Sequence, residues 1–202
     1  MDADDADFGG FYKVELMNRE EAKKVIAVYE MQNLSSDEKL EILECNYWFF
    51  GDKEGITEAI EEGSYPEISE DLIEIIDKTP DPFLNAESEG LVVDYLVNGL
   101  KYVTNLYLQT KLKSINPNFK DKIFGEVERA GLCPCCEYYS IDYGEDGLWD
   151  ICPVCFWENG GEGPNHMTLE QAKLNFEKFG AINKNSLGLV DKNGAKKYCR
   201  KE

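Results

Sequence analysis

Through the first 115 positions, apolar residues recur three or four apart rather than in alternation, a period that predicts helices and not strands. Ala22, Val25, Ile26 and Tyr29 form such a stripe behind Asn18, a capping residue, with Glu21 placed three positions on for a capping box. Ser35 and Glu38 repeat the start signal for a second helix carrying Leu40, Leu43 and Cys45. Tyr47–Trp48–Phe49–Phe50 is too aromatic to be left in water, and reads as core or as an anchor for a partner. Two short helices follow. One holds Ile56, Ala59 and Ile60; the other starts near Pro66 or Ser69 and holds Leu72, Ile73, Ile75 and Ile76.

A longer stripe of Leu91, Val92, Tyr95, Leu96, Leu100, Val103 and Leu106 predicts one helix from Ala86 to Ser114. Gly99 within it costs about 1 kcal/mol relative to Ala and marks a close approach or a kink. Asn116–Pro117–Asn118 ends the pattern, because Pro disfavours helix at the residue before it. Residues 119–130 predict a short connecting helix. Past Gly131 the texture changes to Cys, aromatic, Gly and Pro. The expected fold is mainly α: a flexible acidic arm (1–10), an acidic helical domain (11–130) built as a bundle, a small metal-centred ribbon of β-hairpin knuckles plus helix (131–182), and a tail (183–202) expected to fray.

Charge divides the same way. The net charge is −19; residues 1–100 hold 26 acids and 7 bases, while residues 101–202 hold 14 of each. Such an acidic field repels phosphate backbones and attracts cationic partners; the alternative reading is a set of solvated helix faces that aid solubility. The first ten residues lack the apolar run of a signal peptide, and no stretch suits a membrane span, so a cytoplasmic protein is expected.

A reducing compartment makes clustered cysteines metal ligands or redox groups rather than disulfides. Cys133-Pro-Cys-Cys136 and Cys152-Pro-Val-Cys155 are two C-x-x-C pairs with 15 residues between them. In such a turn two sulfurs converge on one ion, and a second turn completes a tetrahedron. Four thiolates close the shell, so the expected ion is one structural Zn2+ held by Cys133, Cys136, Cys152 and Cys155; iron–sulfur and redox or disulfide pairs are the alternatives. Tyr138–Ile141 and Leu148–Ile151 are expected to pair as strands around the turn Tyr143–Gly147. Cys135 is either a spare thiol under the knuckle or an alternative ligand to Cys136. Cys45 is expected as a buried hydrophobe, Cys199 as an exposed tail thiol, and His166, the only histidine, as polar surface rather than a ligand. Thr168 and Gln171 form a capping box for a helix with Ala172, Leu174, Phe176 and Phe179, closed by Gly180. Phe156, Trp157, Phe176 and Phe179 are expected to pack over the metal.

CPCC at residues 133–136, ICPVCFWEN at 151–159 and MTLEQAKLNFEKFGAI at 167–182 together resemble the bacterial cysteine-rich CPCC domain. The resemblance covers residues 131–182, and the segment at residues 18–44 looks like the helical leader often attached to that domain. The stretch between Trp157 and Thr168 is shorter than the family pattern. The likeness implies that the four knuckle cysteines bind the metal. It implies no enzymatic activity, and points instead to a small accessory protein, a class that includes immunity proteins against secreted toxins.

Three functions are weighed. The first is non-enzymatic: the acidic helical domain captures a basic, toxin-like protein partner, as nuclease toxins present basic clefts. The second is a nucleic-acid-binding or regulatory ribbon, which the eight acids and absence of Lys or Arg in residues 132–170 disfavour. The third is an enzyme using Asp71, Glu74 and Asp77, spaced to share one helix face.

Overall fold

The computed structural model describes residues 16–48, 52–79 and 81–202. The acidic arm expected at residues 1–10, and Phe49 and Phe50 of the aromatic run, lie outside the described residues. The chain is mainly helical, with two small two-stranded sheets and the cysteine cluster near the C-terminus.

Local capping chemistry explains where the helices begin. Helix α1 (Arg19–Asn33) is capped by Asn18, which accepts from the Glu20 N–H at 2.8 Å rather than through the expected Glu21 box. Ser35 and Glu38 form the reciprocal box of α2 (Ser36–Asn46). Asp52 caps α3 (Lys53–Glu61), and Ser69, not Pro66, caps α4 (Glu70–Lys78). Among the described residues no helix is long and apolar enough to cross a membrane.

The single helix expected over 86–114 is two. Helix α5 (Ala86–Asn98) ends at Gly99, and α6 (Asn105–Ile115) begins behind Thr104, whose hydroxyl accepts from the Tyr107 N–H at 3.1 Å. The break turns Leu100 and Val103 into a core with Ala22, Ile26, Leu108 and Leu112, and leaves Leu106 exposed. A continuous helix could not bury both halves of that stripe against α1. A second core, centred on Leu43, Ile56, Leu72 and Val92, is roofed by Tyr47 and Trp48, so the described half of the aromatic run is core. The Tyr47 hydroxyl donates to the Leu91 carbonyl at 2.9 Å, and burial pushes its pKa up to about 12. Val25 and Tyr29, expected in the α1 stripe, are exposed instead.

The connecting helix expected over 119–130 is absent. Lys122–Phe124 forms β2, which pairs in parallel with β1 (Leu16–Asn18), Met17 opposite Ile123. Both of those side chains face the core of Ala22 and Val103. A buried ion network holds this linker. Arg19, 2% exposed, donates to Glu128 at 2.9 Å, to Asn105 Oδ1 at 2.9 Å, and to the carbonyls of Leu100 and Lys101. Lys23 takes the other Glu128 oxygen. Burial alone would push Glu128 up, but Lys23 and Arg19 together hold it below the usual carboxylate range.

The tail does not fray. Its backbone adds to the cysteine-rich module at Tyr138–Arg200, where the Tyr139 N–H donates to the Cys199 carbonyl and the Lys201 N–H to that of Glu137, both at 2.9 Å. The Thr104 N–H donates to the Lys197 carbonyl at 2.8 Å, and Tyr198 packs against both the module core and that of α1 and α6. These contacts place the last residues between the two halves of the molecule.

Candidate metal centre

Each C-x-x-C pair sits at the tip of its own tight hairpin. In the first, the Cys133 N–H donates to the Tyr138 carbonyl and the Glu137 N–H to that of Cys133; in the second, Cys152 pairs with Trp157 and Phe156 with Cys152 in the same way. Glu137 and Phe156 occupy equivalent places and share left-handed backbones, φ 62° and 69°. A side chain there costs about 1–2 kcal/mol, so two such residues hold only where something else fixes the turn.

This arrangement replaces the pairing expected between Tyr138–Ile141 and Leu148–Ile151. Strand β4 (Tyr139–Ile141) pairs antiparallel with β3 (Gly131–Leu132), Ile151 bridges to Glu158, and Gly144–Gly147 is a 3-10 turn. Gly131 and Gly147 are required by close approach: a Cβ on either would lie 2.2 or 2.1 Å from the Asp142 carbonyl oxygen.

The two hairpins bring the four sulfurs of Cys133, Cys136, Cys152 and Cys155 within 4.8 Å of one another, all four buried. Cys133 and Cys155 are 3.6 Å apart and Cys136 and Cys152 3.5 Å. A disulfide requires about 2.05 Å, whereas a tetrahedral ion with metal–sulfur bonds of about 2.3 Å has edges of about 3.8 Å. The donor set therefore fits one metal ion in a closed four-thiolate shell. The Ser140 hydroxyl lies 3.2 Å from the Cys152 sulfur, and the Val154 N–H donates to that sulfur at 3.4 Å.

As thiols, four groups so close would compete for protons. The neighbouring cysteines, Cys133 foremost, hold Cys152 far below the ordinary thiol range, and Ser140 adds to this. The Cys133 contact is also the largest influence pushing Cys136 and Cys155 upward. A divalent ion removes the competition by letting all four be thiolates.

Cys135 is buried but is not one of the four sulfurs that lie within 4.8 Å of one another, whereas Cys136 is. Its contact with Cys155 lowers its pKa. His166 is exposed, ends α7 (Glu162–Asn165) in a left-handed turn, and is not in the group. Cys199 is exposed, as expected; Cys45 is exposed too, contrary to the expectation of burial, since α2 turns Leu43 inward instead. Phe156, Trp157 and Phe176 join the module core, while Phe179 lies outside it with Lys178 and Lys184 over its ring. Helix α8 (Leu169–Phe179) has the Thr168–Gln171 box and a left-handed Gly180, φ 81°.

Asp71, Glu74 and Asp77 form no ligand group among the described residues. Glu74 pairs with Lys78, which lowers its pKa, and Asp77 accepts from the Lys53 N–H at 3.0 Å at the start of α3. Sequence reasoning missed Arg19, Lys23 and Glu128. Their one signal is a pair of cations at i and i+4 inside an otherwise apolar helix face.

Comparison with curated proteins and with solved structures gave no match. The family model described as Cysteine-rich CPCC matches residues 131–196, taking in both knuckles, α8 and most of the tail as far as the third residue of α9 (Gly194–Lys197). The C-terminal third of this chain is a cysteine-rich CPCC domain, joined to a helical N-terminal region.

Proposed function

We propose that the chain is a non-enzymatic protein-binding protein, braced by one structural Zn2+, whose partner is a cationic protein captured by the acidic helical domain. The observation that carries the metal is the closed set of four buried sulfurs. Zinc is the commonest ion for tetrahedral four-cysteine knuckles, and a closed shell has no position for substrate. The observation that carries the partner is the distribution of charge: the whole −19 resides in residues 1–100. Helices α3 and α4 display Glu54, Glu58, Glu61, Glu70 and Asp71 to solvent, a field that speeds encounter with a basic surface by roughly 10–10³-fold at low salt.

An immunity protein against a nuclease-like toxin is the specific form of this reading, because such a toxin presents a basic cleft. Co-purification from the native host with identification of the bound protein tests it. A basic partner is expected, with affinity falling steeply between low and physiological salt. A neutral or acidic partner, or affinity indifferent to salt, would refute it; tight salt-dependent binding of RNA or DNA would replace it with the nucleic-acid reading.

A further inference from the structure

Between the knuckles, the segment Leu148–Ile151 inverts the usual arrangement of apolar and charged side chains. Leu148, Trp149 and Ile151 are 54%, 59% and 50% exposed, whereas the one charged residue, Asp150, is turned inward to accept from the Asp142 N–H at 2.8 Å. The loop is fixed from several sides. The Asn159 N–H donates to the Asp150 carbonyl and the Asn159 side chain to that of Gly147, both at 2.8 Å. Trp149 has a left-handed backbone, φ 76°, and its ring lies against Gly160, where a Cβ would come within 2.2 Å. Trp149 is thus held in a costly backbone conformation with more than half of its surface left in water.

We propose that Leu148–Ile151 is a preformed docking surface for a cationic protein segment that also bears apolar side chains. The occupant follows from charge complementarity. Residues 132–170 hold eight acids and no Lys or Arg. Glu145, Asp146 and Glu158 flank the apolar triplet in sequence, and none pairs with a cation among the described residues. Exposed apolar residues flanked in sequence by unpaired acids favour a basic, apolar partner and disfavour nucleic acid and a second copy of this chain. The inference rests on the cationic partner proposed above and names a contact site for it outside the helical domain.

A random peptide library displayed on phage, selected on the immobilised zinc-loaded full chain, tests it. Selected peptides are expected to combine Lys or Arg with aliphatic or aromatic residues, and to bind Trp149→Ser roughly tenfold or more weakly, as for loss of a central aromatic anchor. Leu148→Ser and Ile151→Ser, with zinc content unchanged, are expected to weaken the same peptides. Trp48 and Trp157 are 6% and 2% exposed, so quenching of tryptophan emission by acrylamide reports mainly Trp149, and a selected peptide is expected to shield it. Peptides that are basic only and indifferent to Trp149→Ser would leave the cationic-partner reading standing and overturn this site. Apolar peptides without basic residues, self-association lost in Trp149→Ser, or no enrichment at all would overturn the site as well.

Discussion

Replacing Arg19 by Met keeps most of the apolar stem and removes the guanidinium from a site 2% exposed. Four acceptors lose a donor: Glu128, Asn105 Oδ1, and the Leu100 and Lys101 carbonyls. Breaking one side of a buried ion pair costs about 3–5 kcal/mol, chiefly because the partner charge stays buried. Lys23 still holds one Glu128 oxygen and Glu128 is 31% exposed, which moves the expectation to the lower half of that range, about 3 kcal/mol. Adding Glu128→Gln removes the stranded carboxylate, so the double variant is expected to be less destabilised than the sum of the singles by about 1–2 kcal/mol. Urea unfolding of the four proteins, followed by helix signal with zinc content checked, measures this cycle. The pH dependence has a definite sign. Glu128 is held below its unfolded value, so its contribution is fully present above the unfolded carboxylate pKa and is lost as pH falls through the folded one. Arg19→Met is expected to flatten that acid limb. A cost below about 1 kcal/mol, or strict additivity, would refute the network as the lock between α1 and the linker.

Gly147→Ala and Gly131→Ala drive a methyl onto the Asp142 carbonyl and are expected to cost about 3 kcal/mol or more, whereas Gly90→Ala in α5, with nothing within 4 Å, is expected to stabilise by about 0.5–1 kcal/mol; thermal melts order the three. Deleting residues 198–202 removes Tyr198 and the bridge at Arg200, and is expected to lower the melting temperature and speed proteolysis near residues 125–130, read by limited digestion. Acid titration is expected to release the metal cooperatively, because bound thiolates titrate far below free thiols: their contribution is present above the free thiol range and lost as pH falls, followed with a colorimetric chelator.

The four-cysteine cluster was legible because its pattern is written locally: two C-x-x-C turns each bring two sulfurs to one point whatever surrounds them. Caps were legible for the same reason, as at Ser35 and Thr168, which start helices, and Gly180, which ends one, each signal lying within four residues of the helix terminus. What failed was non-local. The apolar period runs unbroken from Leu96 to Leu106, and only docking of Leu100 and Val103 against α1 forces the break at Gly99–Thr104. Strand β2 exists because β1, more than a hundred residues earlier, pairs with it. Leu148–Ile151 was expected to pair with Tyr138–Ile141; each knuckle instead closes on itself, and the tail takes the outer edge of the first.

The central claim is that the C-terminal third is organised around a metal. Elemental analysis of the purified full chain, paired with melting before and after strong chelation, tests it most directly. One zinc per chain is expected, with a large fall in melting temperature on chelation and loss of the ion in Cys152→Ser, since such sites supply roughly 10–16 kcal/mol of apparent binding free energy. Absence of stoichiometric zinc, together with a melting curve that chelation leaves in place, would contradict it.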